Sequence, residues 1–174
     1  MTKWNVDAVH TNVGFSVRHM MVSNVRGSFT GLEGSVTGDL DNLTDAKIHF
    51  TIDVNTINTN NEDRDNHLRS ADFFNVEQYP NITFDSTEIV KTGEDEYDVT
   101  GDLTVKDVTK KTTFNVTRTG AGKNPWGVDV VGFETAIKIS RKEYGLTWSQ
   151  TLETGGVLVG DDIKITVELQ VNPA

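Results

Sequence analysis

The chain has 174 residues, with 26 acidic and 16 basic side chains, so its formal net charge is −10 with neutral histidines. This balance argues against nucleic acid as a partner and against adhesion of the whole surface to an anionic bilayer, because both need clustered cations. Local basic patches stay possible. The complete absence of cysteine excludes disulfides, thiolate zinc sites and a cysteine nucleophile.

No repeat, low-complexity tract or linker divides the chain, so we expect a single domain over residues 1–174. No stretch approaches the roughly 18 apolar residues that a membrane span needs. The opening segment, MTKWNVDAVHTNVGF, lacks the basic start and the apolar run of a signal peptide. The sequence therefore predicts a cytoplasmic protein without a transmembrane segment.

From the amino end onward, apolar and polar residues alternate with a period of two, which is typical of strands with one buried face. In the first such segment, VGFSVRHMM, Phe15 and Val17 share the apolar side, and Arg18 lies on the polar side. The segments with this pattern span residues 13–21, 23–36, 46–54, 81–89, 97–105, 112–116, 130–139 and 162–171. About eight such strands joined by polar turns, with a longer loop at 120–127, predict an all-β fold, either an up-and-down barrel or a two-sheet sandwich.

Two short segments favour helix instead. Residues 61 to about 70 offer polar capping groups and no β-branched run, and in SRKEY the residues Ser140 and Glu143 have the spacing of a capping box. In an all-β chain, such helices lie across an open end, because their apolar residues need a surface that the strands leave uncovered. We therefore expect one or two short helices near the barrel ends, the first of which leads into Phe73 and Phe74.

No motif for catalysis or metal binding accompanies the strands. The histidines, His10, His19, His49 and His67, lack the close spacing of metal ligands. The nucleophile elbow of hydrolases and the glycine-rich loops that bind nucleotides do not occur in the sequence. The sequence therefore predicts no catalytic residue, no metal and no catalytic cofactor.

Several long segments carry a resemblance to a known family. They are WNVDAVHTNVGFSVRHMMVSNVRGSFTGLEG, TNNEDRDNHLRSADFFNVEQYPNITF, YDVTGDLTVKDVTKKTTF, SRKEYGL and VGDDIKITVELQ. From about Trp4 to Gln170 the sequence resembles the YceI-like family of polyisoprenoid-binding proteins, most specifically in the segment from Arg64 to Phe84. The resemblance implies a lipocalin-like antiparallel β-barrel.

The resemblance also implies a bound ligand. It would be a long isoprenoid lipid, of the isoprenoid quinone or isoprenyl diphosphate type, threaded through the barrel interior with its polar head near an opening. The residues expected to line an apolar tunnel are Phe15, Val17, His19, Met20, Met21, Phe29, Phe50, Ile52, Phe73, Phe74, Phe84, Phe114, Phe133 and Trp148. Alternation alone favours a packed core made of these residues, whereas the resemblance favours the tunnel.

Basic residues of the two helical segments are the candidates for the head group. Arginine presents a planar fork of donors that matches phosphate or carboxylate oxygens, and helix starts add N–H groups for an anion. Alternatively, Arg64 pairs with Asp63 or Asp65, and Arg141 with Glu143, on a solvated surface. The head-group candidates are Arg64, His67, Arg69, Arg141 and Lys142.

Phe73 and Phe74 are expected to seal the barrel end, as a fixed plug or as a moving gate. Two other functions stay open. One is an enzyme that uses the barrel as a chamber for a small hydrophobic substrate, with His19 or His67 as general acid or base. The other is a filled barrel whose outer surface binds a protein. A homodimer would form through an exposed strand or an open barrel end.

Overall fold

The computed structural model of the protein describes residues 2–19, 22–146 and 159–174. Its strands are β1 (Lys3–Val6), β2 (Asn12–His19), β3 (Ser23–Phe29), β4 (Leu32–Asp39), β5 (Asn42–Asp53), β6 (Asn81–Lys91), β7 (Glu96–Val105), β8 (Val108–Lys123), β9 (Asp129–Ser140) and β10 (Val159–Pro173). The α-helix α1 spans Glu62–Arg69, and 3-10 turns span Ala8–His10, Val54–Thr56 and Lys142–Tyr144. Within the described ranges, no helix is long and apolar enough to cross a membrane.

The strands form a closed antiparallel barrel with eight positions around its wall. Two of these positions are each occupied by two strands. One holds β1 followed by β2, and its neighbour holds β3 followed by β4. Accordingly, β1 pairs with β4, and β2 pairs with β3. Both β1 and β2 pair with β10, and the contact of Val6 with Val171 closes the ring. The structure thus confirms the predicted lipocalin-like barrel, and the sandwich alternative is wrong.

The predicted segment 23–36 is two strands rather than one. It breaks at Thr30 and Gly31, whose backbone N–H groups donate to the Thr56 hydroxyl oxygen at 3.2 and 3.1 Å. At this point the 3-10 turn that contains Thr56 supplies the hydrogen-bond acceptor that a neighbouring strand would otherwise provide. Strand β1 was not predicted, because four residues are too few for alternation to reveal.

One end of the barrel is filled by side chains and is called the floor below. The β4–β5, β6–β7 and β8–β9 hairpins turn at this end. Tyr97, which is 1% exposed, donates its hydroxyl to the carbonyl oxygen of Asp41 at 3.3 Å. Other buried residues of the floor are Leu40, Ala46, Ile89, Val131 and Val171.

The opposite end, called the mouth below, carries the β2–β3 and β7–β8 hairpins and the segment between β5 and β6. This segment, residues 54–80, continues the wall beyond the end of β5. Ser28 of β3 and Asn58 exchange two backbone hydrogen bonds of 2.9 Å. Asn61 caps α1 by accepting from the Arg64 N–H at 3.1 Å, so the helix predicted over 61–70 is confirmed.

Thr59 anchors α1 to the wall. The carboxylate of Asp65, which is 6% exposed, accepts from the Thr59 N–H at 2.9 Å and from its hydroxyl at 2.6 Å. The Arg64 guanidinium donates to the hydroxyl and carbonyl oxygens of Thr59, both at 2.8 Å. Arg64 therefore bonds to Thr59, and the predicted surface pairing with Asp63 or Asp65 is wrong.

Two smaller expectations need correction. The segment SRKEY forms a 3-10 turn without a capping box, because the Ser140 hydroxyl donates to the Asp161 carboxylate at 2.7 Å instead. The predicted loop 120–127 begins only after Lys123, since Gly120–Lys123 pairs with β9. The structure thus contains one short helix and one 3-10 turn where two helices were considered.

We predict that Asp65→Ala lowers the free energy of unfolding by about 2–3 kcal/mol, because it leaves the buried N–H and hydroxyl of Thr59 without their acceptor. Urea unfolding followed by circular dichroism measures the change. Asp63→Ala is the matched control, since Asp63 is an exposed residue of the same helical turn. An equal loss in both variants would contradict the anchoring role of Asp65.

Candidate functional site

Above the floor the barrel is hollow. It encloses a cavity of about 590 Å³, within the range of about 300–1,000 Å³ that is typical of ligand pockets. Ile163, Ile165 and Val167 of β10 line it and are only half-buried, although they alternate with the exposed Lys164 and Thr166. Inward-facing apolar residues that keep this exposure lie against open space rather than against a packed core.

The structure places ten of the predicted tunnel residues in the lining of this cavity. Met20, Met21 and Trp148 lie outside the described residues, and so does the side chain of His19. The packed core that alternation alone favours occupies the floor, and a second buried cluster around Val13, Leu32, Val54 and Ile57 packs beside the cavity. That the lining residues contact a ligand stays a prediction. The ten residues are Phe15, Val17, Phe29, Phe50, Ile52, Phe73, Phe74, Phe84, Phe114 and Phe133.

One group of aromatic rings lies deep in the lining. The ring of Phe84 meets Phe114 edge to face at 5.1 Å and stacks with Phe50 at 6.3 Å. Gly34 pairs directly across from Phe50, and a Cβ atom at Gly34 would collide with the Phe50 ring. The glycine therefore lets this ring lie flat against the wall and leave the interior open.

A second aromatic group connects the wall to the segment after α1. Phe29 packs against Phe15 at 5.5 Å and meets Phe74 edge to face at 6.3 Å. Gly27 pairs across from Phe15 in the same way as Gly34 and Phe50. Sequence analysis missed both glycines, because their effect depends on which residue lies opposite them in the strand register.

Polar residues of the lining are few and include three of the predicted head-group candidates, Arg64, His67 and Arg141. Arg18, predicted on the polar side of β2, also reaches the lining near the end of that strand. Asp63 of α1 is also in the lining, so the polar residues of the cavity carry both signs of charge.

The other two head-group candidates lie elsewhere. The Arg69 guanidinium donates to the carbonyl oxygens of Asn55 at 3.2 Å and Ile57 at 3.1 Å, and to the Asn66 side chain at 3.0 Å. It thus fastens α1 to the wall segment before it. Lys142 is exposed and is not part of the cavity lining.

Arg141 is the most unusual residue of the site, because its side chain lines an apolar cavity and is only 2% exposed. Its Nε donates to the carbonyl oxygen of Gly160 at 2.7 Å, and Nη1 donates to that of Leu146. Burial lowers the pKa of Arg141, and the charge of Asp161 opposes this shift. The predicted surface pairing with Glu143 is wrong, since the guanidinium points into the barrel.

Asp161 holds the turn that carries Arg141. Hydrogen bonds from the Ser140 hydroxyl lower the pKa of Asp161, burial opposes this, and the Lys142 N–H at 3.2 Å lowers the pKa further. The carbonyl oxygen of Asp161 accepts from the Arg141 N–H at 3.0 Å. These contacts tie β9 to β10 at the mouth and fix where the buried cation lies.

His67 is the histidine that lines the cavity among the described side chains. Its Nε2 lies 2.9 Å from the Asp72 carboxylate, and its ring meets Phe73 edge to face at 5.1 Å. His10 and His49 pair instead with Asp7 and Asp85 away from the cavity. Within the described ranges, no group of three or more His, Asp or Glu residues could hold a metal ion.

Comparison with known proteins agrees with this architecture. The family model of the YceI-like domain matches residues 4–171. A UPF0312 protein of Staphylococcus epidermidis is 45% identical over 165 residues, which cover 94% of each chain. A UPF0312 protein of Staphylococcus aureus is 41% identical over the same length and coverage.

Solved structures show the same barrel. The YCEI protein of Campylobacter jejuni has a TM-score of 0.75 at 31% identity over 95% of each chain. BcnA of Burkholderia cenocepacia has a TM-score of 0.83 at 24% identity, over 95% of this chain and 98% of its own. A polyisoprenoid binding domain from Saccharophagus degradans has a TM-score of 0.73 at 16% identity over both whole chains. The last two support the fold alone, and the family match over 4–171 shows that the chain belongs to the YceI-like family.

Proposed function

We propose that the protein binds a long-chain isoprenoid lipid in its barrel, in order to sequester or transport it. The observation that carries the proposal is the apolar cavity of about 590 Å³ inside a closed wall. Family membership supports it, and so does the polyisoprenoid-binding domain that shares the fold. A packed barrel that binds a protein on its outer surface would not need such a cavity.

The apolar lining suits the tail of such a lipid. Each five-carbon unit that leaves water releases about 4 kcal/mol, at roughly 0.8 kcal/mol per buried carbon group. Ordering the tail and losing its overall freedom offset much of this gain. Because burial is not directional, tail binding needs few polar contacts, and selectivity falls to cavity length and to the head group.

The head group would lie in the polar part of the cavity, near Arg141, Arg64 and His67. A guanidinium donates to phosphate oxygens and to a quinone carbonyl alike, so both ligand types fit this chemistry. Arg141 is the strongest candidate, because its position is already fixed by the carbonyl groups of Gly160 and Leu146. A head group at this position would contact the Arg141 guanidinium without reordering the arginine side chain.

The test of this function is mass spectrometry on protein purified from its native host, run intact and again after organic extraction. We expect a stoichiometric isoprenoid in the wild type and at least about a tenfold lower content in Ile165→Trp, whose indole would occupy the half-buried cavity position.

Lys164→Trp is the matched control, since Lys164 neighbours Ile165 on the exposed face of β10. It should carry as much lipid as the wild type. No lipid in the wild type, together with no uptake of added quinones or isoprenyl diphosphates, would refute the function. Equal loss in both tryptophan variants would refute the cavity as the binding site.

Replacing Arg141 by methionine tests the head-group position, because it removes the charge and keeps much of the side-chain volume. We expect affinity for an isoprenyl diphosphate to fall at least about tenfold, measured by fluorescence displacement, while affinity for the matching uncharged hydrocarbon changes less. Lys142→Met is the control, because it removes the charge of the adjacent residue, which does not line the cavity. Equal losses for charged and uncharged ligands would contradict the assignment.

A second candidate function is an enzyme that works in the barrel chamber. One observation favours it: His67 lines the cavity, and the Asp72 carboxylate lies where it would orient the ring for proton transfer. Under this function, His67→Ala would abolish chemical change of the extracted lipid and retain its binding. His49→Ala, on the outer face, is the control. Unchanged lipid after incubation with the wild type would exclude turnover of that lipid.

A further inference from the structure

Charge is distributed unevenly between the two ends of the barrel. The three floor hairpins, over residues 39–45, 91–98 and 118–129, carry eight acidic and three basic side chains. Much of the net charge of −10 is therefore concentrated at the closed end. An anionic surface therefore repels this end.

Parts of the mouth carry the opposite excess, although the segment 54–80 at the same end is acidic. Apart from the buried Arg141, six basic and two acidic side chains lie in the ranges 18–19, 22–26, 105–111 and 141–146, which belong to the two mouth hairpins and the turn around Lys142. Lys110 pairs across from the inward-facing Leu103 but is exposed, so it extends from the inner face at the rim of the mouth.

These basic segments lie on opposite sides of the mouth. The β7–β8 hairpin contacts the turn around Lys142, because the Thr112 and Tyr144 hydroxyls lie 2.9 Å apart. The β2–β3 hairpin lies half a turn away from β7–β8 in the strand order around the wall. A flat surface that touches both hairpins would therefore lie across the mouth.

Two further features restrict the orientation. Val22, at the tip of the β2–β3 hairpin, is an apolar side chain that is 78% exposed. The α1 side of the mouth carries the exposed acidic Glu62 and Asp63, and the exposed Asp162 lies near the start of β10. The basic surface is thus confined to the hairpins and the Lys142 turn, and contact would be made there.

We propose that the mouth docks on anionic phospholipid bilayers through this basic surface and Val22, with the acidic floor directed away. The docking step rests on the proposed lipid-binding function, because a lipid passes between membrane and barrel without crossing water only where the mouth meets the bilayer. Charge complementarity selects the bilayer, since basic side chains next to an exposed apolar tip fit an anionic headgroup layer above hydrocarbon.

Vesicle co-sedimentation tests the proposal, with phosphatidylcholine vesicles that contain either no phosphatidylglycerol or about one third of it. We expect the wild type to bind only the anionic vesicles and to be released by high salt. The double variant Lys110→Glu/Lys142→Glu should bind at least about tenfold more weakly. Lys47→Glu/Lys91→Glu makes the same change in charge away from the mouth and should stay within about twofold of the wild type.

No binding of the wild type to anionic vesicles, or equal losses in both double variants, would overturn the docking proposal. Affinity for an uncharged isoprenoid hydrocarbon added in solution, measured by fluorescence displacement, separates this result from a failure of the proposed function. Both double variants should bind it as tightly as the wild type, because Lys110 and Lys142 do not line the cavity. Vesicle binding by a wild type that carries no lipid would refute the lipid-binding function and leave docking intact.

Discussion

Closure of the barrel by the pairing of β1 with β10 is the constraint on which the hollow interior depends. A cavity deprives its lining of packing contacts, so the upper half of the barrel gains less stability from its side chains than a filled core would. The wall compensates with a backbone ladder that runs through all eight positions. The floor around Tyr97 and Val171 adds the dense packing that the upper half gives up.

The same hollow interior gives Arg141 its significance. A buried cation is costly unless hydrogen bonds compensate for lost water, and the carbonyl groups of Gly160 and Leu146 supply such bonds. The carbonyl groups orient the guanidinium, and the charge of Asp161 also acts on it. Because much of the lining is apolar, contacts of this cation with a ligand are screened less by water than those of an exposed arginine such as Arg26.

Sequence alone could predict the strands and the inward faces, because alternation records which side of each strand avoids water. It could not separate a filled barrel from a hollow one, since Ile165 would face inward in both. The family resemblance supplied that distinction. The burial of Arg141 could not be predicted either, because its partner Gly160 lies on another strand. The effect of Gly27 on Phe15 could not be predicted because it depends on the register of β2 and β3. Local capping signals succeeded at Asn61 and failed at Ser140, where Asp161 competes for the hydroxyl.

The position of α1 bears on how a ligand would reach the cavity. Lifting α1 away from the wall would break the contacts of Thr59 with Asp65 and Arg64, and those of Arg69 with two backbone carbonyls. At about 1 kcal/mol for each net hydrogen bond, this motion would cost several kcal/mol before any apolar surface is exposed. The bonds therefore favour α1 as a fixed part of the wall, with Phe73 and Phe74 as a plug that shapes the cavity. Passage of a lipid would then involve a part of the mouth other than α1, and the basic surface lies on the hairpins there.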